Sequence, residues 1–251
     1  PLTVSIKNKP WMENDKEPYQ QDWFFGYLQT AGFNTTNLLA IRANNEESKS
    51  AISLSSLLEK MPLTDKILQS VLGDNSISLT TAVAEKRLYV CDYTMLIGKQ
   101  SNALHGKQRY VTAPIAVFYW SNAQAKGFPE SNGYMRPIAI QLDQQHNSIT
   151  TPIFTPNDCS NASDKNGLKW QVAKQIVNIC SAIQHENVAH LGACHLILDT
   201  IIIAAHRELS EQHPLLTLLI PHFRFTLNIN NDALHNLIIP GGVTACDVGL
   251  T

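Results

Sequence analysis

Apolar positions Leu54, Leu57, Leu58, Met61, Leu68 and Leu72 recur at helical spacing on either side of Pro62, which predicts two short helices across residues 54–72. The preceding aromatic cluster Asp22-Trp-Phe-Phe-Gly-Tyr-Leu28 is too short to show a period and fits a helix broken at Gly32. Ser78 to Ala84 continues helically as far as Lys86. Period two then takes over in residues 87–93 and 110–120, with further strand-like text at 136–142 and 152–154. These runs predict a small antiparallel sheet with polar, Gly-bearing turns such as Ser131-Asn-Gly133, ending near Pro156.

Residues 157–167 turn polar, with Asp158, Ser160, Ser163 and Asp164 available as caps, and a helical run opens at Leu168 and reaches Leu209. Ile176, Ile179, Ile183, Val188 and Leu191 hold its phase, and apolar residues become denser through Ile197, Leu198, Ile201, Ile202 and Ile203. Some 40 residues at about 1.5 Å each make a helix on the order of 60 Å long. Toward its end it is apolar on nearly every face, so it is expected to thread the middle of a helical domain. Pro214 stops the pattern, a short helix follows over 215–220, Pro221 stops it again, and residues 225–239 resume helically before Pro240-Gly-Gly242. The first 21 residues are polar, contain Pro10, Trp11 and Pro18, and read as an extended arm. No internal repeat or low-complexity segment occurs.

Composition narrows the function classes. The chain has 251 residues, enough for one large domain or two small ones. Charged residues are 16% against about 25% in a typical soluble domain, and apolar residues reach 44%. Such a balance implies a deep interior or a surface that expects a partner. Net charge is −2 and no basic block is interleaved with aromatics, so nucleic acid is not an expected ligand. No stretch offers 18 or more uninterrupted apolar residues, so a soluble protein is expected; the sequence does not give its localisation, with the cytoplasm favoured and peripheral membrane contact left open. Cys91, Cys159, Cys180, Cys194 and Cys246 are dispersed without CxxC spacing and read as reduced thiols. The sequons at Asn34 and Asn161 arise easily by chance.

The candidate chemistry lies in His185-Glu-Asn-Val-Ala-His190-Leu-Gly-Ala-Cys-His195, where imidazoles recur every five residues inside the most apolar run. Residues five apart on a regular α-helix point about 140° away from each other. For His190 and His195 to share an ion, the helix must widen into an i→i+5 turn, the π-type turn that tends to mark functional sites. The zinc-protease pattern needs His at i and i+4 around a Glu, and His185-Glu186 does not supply it. The bland reading, core histidines satisfied by neighbouring polar groups, stands beside the metal reading. Two imidazoles also leave a transition-metal site unfinished.

Several segments together resemble the lipoxygenase family. They are Trp170-Gln-Val-Ala-Lys174; His185, His190-Leu191 and His195; Ala204-Ala-His-Arg207 through His213-Pro214 to Pro221-His222-Phe-Arg224; and Ile229-Asn230 with Leu237-Ile238. Upstream, Arg87-Leu-Tyr-Val-Cys-Asp-Tyr93, Arg136-Pro-Ile-Ala-Ile-Gln-Leu142 and Ala31-Gly-Phe-Asn34 are similar to family segments, with Thr35 where Pro is usual. The resemblance implies a mainly α fold: residues 22–251 as the N-terminal half of a helical catalytic domain, with a long central helix and a small antiparallel sheet. The family's β-sandwich lipid-binding domain is not among these residues.

By the same resemblance one non-haem iron takes His190 and His195 from the central helix, while His185 and Asp199 lie behind the ligands. Its remaining ligands belong to a C-terminal half of the domain, so the partners implied are that half, a polyunsaturated fatty acid and O2. No catalytic group beyond the metal site is implied. The expected activity is a dioxygenation through hydrogen removal from a doubly allylic methylene, and the chain alone is expected to be inactive. Leu191 and Leu237 match substrate-clamping leucines, Ile229 lies on the same helix as Leu237, and Ala233 matches the small position associated with S-configured hydroperoxides. Ala182 falls where some relatives carry Phe at the pocket floor, and Asp232 and Leu234 stand where many carry basic residues. Two further readings use the chain differently: a 2-His-1-carboxylate site completed by Asp199, or a helical half that has lost its catalytic complement.

Overall fold

The computed structural model describes residues 18–43, 51–99, 101, 103–104, 107–123, 132–160, 167–242 and 244. The expected N-terminal arm lies mostly outside these residues; Pro18–Gln20 form a 3-10 turn. The chain divides into two compact units, the first made of residues 1–97 and 112–181 and the second of 98–111 and 182–251.

Unit 1 begins with helix α1 (Asp22–Ala31), ended by Gly32 as its pattern predicts. Strands β1 (Leu38–Arg42) and β2 (Ala51–Ser53) lead to α2 (Leu54–Lys60) and α3 (Asp65–Leu72), the two short helices expected around Pro62. Ser53 and Thr64 cap them by accepting hydrogen bonds from the third backbone N–H onward, and Gly73 ends α3 in the left-handed conformation. Helix α4 (Leu79–Ala84) is capped the same way by Ser78.

Strand β3 (Leu88–Asp92) follows, then a two-stranded ribbon, β4 (Ala103–Leu104) with β5 (Lys107–Gln108), in unit 2. Strands β6 (Ile115–Ser121), β7 (Tyr134–Gln141) and β8 (Ile153–Phe154) complete a six-stranded sheet of order β2-β1-β3-β6-β7-β8. The expected small antiparallel sheet is therefore larger and mixed, because β1 and β2 pair in parallel. The described residues make a helix-rich α+β structure rather than a mainly α one. β1 and β2 escaped the sequence reading because neither alternates: Leu-Leu-Ala-Ile-Arg and Ala-Ile-Ser are too short to show period two.

Two local conflicts in the sheet have physical resolutions. Pro137 offers no N–H to the ladder, and the β6–β7 register shifts beside it between Val117 and Phe118. Gly26 lets α1 lie directly on β7, since a Cβ there would fall 1.7 Å from the Met135 carbonyl oxygen. Behind the sheet, Leu57, Met61, Leu68, Val90, Val117 and Ile138 belong to one buried cluster. The ammonium of Lys174, 1% exposed, sits 2.8 Å from Asp22, which also accepts from Trp170 Nε1 at 2.8 Å.

Helix α5 (Leu168–Glu208) is α-helical over Leu168–Gln184, π-helical over His185–Leu196 and α-helical again over Ile197–Glu208. By length and composition it could cross a membrane, yet only 17% of its most apolar window is buried. The expectation that it threads a domain interior is thus not met by the described residues, where Ile197, Ile201 and Ile203 are exposed. Helix α6 (Pro214–Phe223) corrects a second expectation: Pro221 does not end it but sits in its last turn, where little ladder remains to break. Phe225 adopts a left-handed conformation at φ 65°, and α7 (Thr226–Ala233) passes directly into a second π-helical stretch, Leu234–Ile238.

Candidate metal centre

The π-helical stretch His185–Leu196 supplies the wide turn that the His190/His195 spacing demands. It brings the two rings edge to face, with centroids 4.7 Å apart and Nε2 to Nε2 at 3.1 Å. The ring of His185 stacks on His190 at 5.6 Å and lies nearly parallel to it.

Hydrogen bonds define which nitrogens are free. His195 Nδ1 lies 2.8 Å from Asn230 Oδ1, an oxygen that can only accept, so Nδ1 carries the proton. His190 Nδ1 faces the carboxylate of Glu186 at 3.1 Å and donates in the same sense. A ring with its single proton on Nδ1 keeps its lone pair on Nε2, and the two Nε2 atoms face one another across 3.1 Å. That arrangement calls for a shared electrophile, a proton or a metal ion. Two metal–nitrogen bonds of about 2.1 Å meeting at a right angle hold their nitrogens about 3 Å apart. The pair fits two adjacent nitrogen ligands of one metal.

Asp199 does not join them. Its Oδ1 accepts from Asn230 Nδ2 at 2.5 Å, and Asn230 Nδ2 also donates to the His195 carbonyl at 2.8 Å. Among the described residues no group of three or more His, Cys, Asp or Glu side chains is placed to hold a metal ion, and Asp199 is engaged by Asn230 instead. Asp199 reaches His195 only through Asn230.

Leu191, adjacent to His190, is buried, as is Ala233 one turn beyond Asn230 on α7. Leu237 is half-buried on the second π-helical stretch, while Ile229 and Ala182 are exposed. Two residues of the site carried no role in the sequence reading. Glu186 had a legible signal, its i,i+4 relation to His190. Asn230, 2% exposed, carried no comparable signal, since it stands beside Asn228, Asn231 and Asp232 in the chain and its partners lie 31 and 35 residues away.

The Lipoxygenase family model matches residues 4–248. The polyunsaturated fatty acid lipoxygenase ALOX15B of Rattus norvegicus is 34% identical over 246 residues, covering 98% of this chain and 32% of the relative. The hydroperoxide isomerase ALOXE3 of the same species is 33% identical over 227 residues, covering 90% of this chain and 28% of the relative. The crystal structure of a coral 8R-lipoxygenase superposes with a TM-score of 0.69 at 25% identity, covering 93% of this chain and 29% of that one. The chain therefore spans about a third of the length of the relatives it matches.

Proposed function

The chain belongs to the lipoxygenase family, and on that premise we propose that residues 22–251 form the N-terminal half of an iron-containing catalytic domain. It acts as one part of a cleaved, two-chain or longer lipoxygenase that inserts O2 into polyunsaturated fatty acids. The observation that carries this reading is the 3.1 Å approach of the His190 and His195 Nε2 atoms on a π-helical turn.

Two imidazoles do not complete a transition-metal site. The C-terminal half of the domain supplies the remaining ligands and covers the exposed apolar faces of α5 to α7. When bound, non-haem iron provides the one-electron acceptor for hydrogen removal from a doubly allylic methylene. The residues of this chain bind and shape. His190 and His195 hold the metal, Glu186 and Asn230 orient their rings, Leu191 and Leu237 clamp the diene, and Ile229 and Ala182 line the path. Ala233 keeps one face of the diene narrow, which gives S-configured hydroperoxides.

Peroxidation by the 251-residue chain, alone and joined to a lipoxygenase C-terminal half, tests the proposal. Only the joined form is expected to be active, with one iron that is lost in H190A and H195A. Strong activity from the chain alone would refute the split-domain reading. Chiral analysis of the product tests Ala233: a mainly R hydroperoxide sinks the stereochemical part, and A233G is expected to open the opposite face.

A second reading follows from the near-equal identity to a hydroperoxide isomerase. It is separated by feeding the joined form a fatty-acid hydroperoxide and the parent fatty acid in turn.

A further inference from the structure

The two proposed ligands are held very differently. The Nδ1 partner of His190 is Glu186, with side chains 44% and 54% exposed, so that ring can turn with its surroundings. The partner of His195 is Asn230, 2% exposed and anchored at three points. Its Oδ1 accepts from His195 Nδ1, while its Nδ2 donates to the His195 carbonyl and to Asp199 Oδ1. Flipping the amide would aim its oxygen at two acceptors, the His195 carbonyl and the Asp199 carboxylate, so one orientation satisfies both, and it presents Oδ1 to His195 Nδ1. The two acceptors that impose it lie on α5, and the amide itself comes from α7.

We infer that Asn230, locked in orientation by Asp199, is a positioning residue that sets His195 in the Nδ1–H tautomer and fixes where its Nε2 lone pair points. The inference deepens the reading of His190 and His195 as a metal pair and rests on it for its consequence. The tautomer itself can be read without metal. A neighbour that fixes the second ring nitrogen of a ligating histidine typically changes metal affinity 10–100-fold when removed. Asp199 acts one step further back: without its acceptor Asn230 Nδ2 keeps the His195 carbonyl as its one partner, and the preference for this amide orientation weakens.

Long-range 1H–15N NMR of the metal-free 251-residue chain reads the tautomer of His195 directly. The wild type is expected to show protonated Nδ1 and unprotonated Nε2. N230L, close to isosteric, is expected to release the ring into a mixture with Nε2–H. The exchanged pair D199N/N230D restores a carboxylate acceptor for Nδ1 and an amide donor behind it, and is expected to return His195 to Nδ1–H. A wild-type Nε2–H tautomer, or an N230L spectrum with unchanged Nδ1–H, overturns the inference. If N230L does not fold, D199L carries the same expectation of a mixed tautomer, and an unchanged tautomer there overturns the role of Asp199 as the lock.

Titration with Co2+ supplies the second readout. Binding is expected to weaken about 10–100-fold in N230L, to recover in the exchanged pair, and to be lost in H190A and H195A. Co2+ binding indifferent to H190A and H195A would sink the metal-pair reading while leaving the tautomer result standing, so the two failures are distinguishable. Unweakened binding in N230L, with both histidines required, overturns the positioning role.

Discussion

Unit 1 closes around its own apolar residues, and unit 2 does not. In unit 1 the faces of β3, β6 and β7 disappear under α2, α3 and α4, and Leu57, Leu68, Val90, Val117 and Ile138 are inaccessible to solvent. In unit 2, among the described residues, Ile202, Leu216 and Phe223 form a small buried apolar cluster, while Ile197, Leu218, Phe225 and Leu234 remain exposed. Apolar content alone does not make a core. α6 is almost entirely apolar, yet only Leu216 and Phe223 are buried, and Leu215, Leu218 and Ile220 are exposed on its other faces. The candidate metal pair sits in the unit with the least burial, where its polar bonds rather than a packed shell hold it in place.

The largest expected effect tests the sealed core. Phe118, fully buried and 5.4 Å from Phe25 between ring centroids, is expected to cost about 3–5 kcal/mol on truncation to Ala. Leu218 in unit 2, 65% exposed, is expected to cost less than about 0.5 kcal/mol. Urea unfolding followed by circular dichroism measures both. Equal losses at the two positions would erase the contrast between the units.

A smaller effect lies in the polar anchor of α5. Replacing Asp22 by Ala leaves the buried Lys174 ammonium with the Gln20 carbonyl at 2.6 Å as its remaining partner. Breaking a fully buried pair costs about 3–5 kcal/mol. Asp22 is 35% exposed, so the expected loss is reduced to about 2–3 kcal/mol. K174M, which removes the charge along with its need for a partner, is expected to cost less than D22A. The reverse order would show that the Lys174 side chain, through its bond to the Gln20 carbonyl, anchors the helix more than Asp22 does.

These contrasts also bear on what could be read from sequence. The short helices around Pro62 and the strands containing Val90 and Val117 follow from local period, which acts within a few residues, whereas the π-type turn between His190 and His195 was legible only as a demand of the metal reading. The parallel pairing of β1 with β2 was not legible, because a register such as Ile41 opposite Ile52 depends on tertiary placement of two unpatterned runs. Exposure was misread for a related reason. An all-apolar face predicts burial somewhere, but it does not say which elements provide it. Asn230 marks the same limit at the site: its identity was visible, whereas its role depends on α7 crossing the π-helical stretch.

Local opening is the next difference expected. Amides of β6 are held between two paired strands under a sealed face, whereas those of α6 and α7 lie in half-covered helices. Hydrogen exchange is expected to be several-fold faster in α6 and α7 than in β6, and to slow in them when a lipoxygenase C-terminal half is joined. Exchange there that does not respond to the added half would argue against it as the cover.

The smallest perturbation uses the cysteines already present, in a background where Cys159 and Cys246 are replaced by Ser. Cys194 is exposed in unit 2, next to His195, whereas Cys91 and Cys180 are buried in unit 1. Burial pushes the Cys91 thiol well above its usual range, and Cys180 is raised by the same cause, partly offset by its bonds to Thr112. The thiolate is the reactive form, so raising the pH from about 7 to 9 brings little reactivity to these two in the folded chain. A thiol reagent such as DTNB is therefore expected to label Cys194 rapidly and the other two only as unit 1 unfolds. In F118A the labelling of Cys91 and Cys180 is expected to accelerate with the population of the open form, while that of Cys194 stays the same. Acceleration at Cys194 by the same substitution would mean that the two units open together, and the contrast between a sealed and an unsealed half would be one of surface alone.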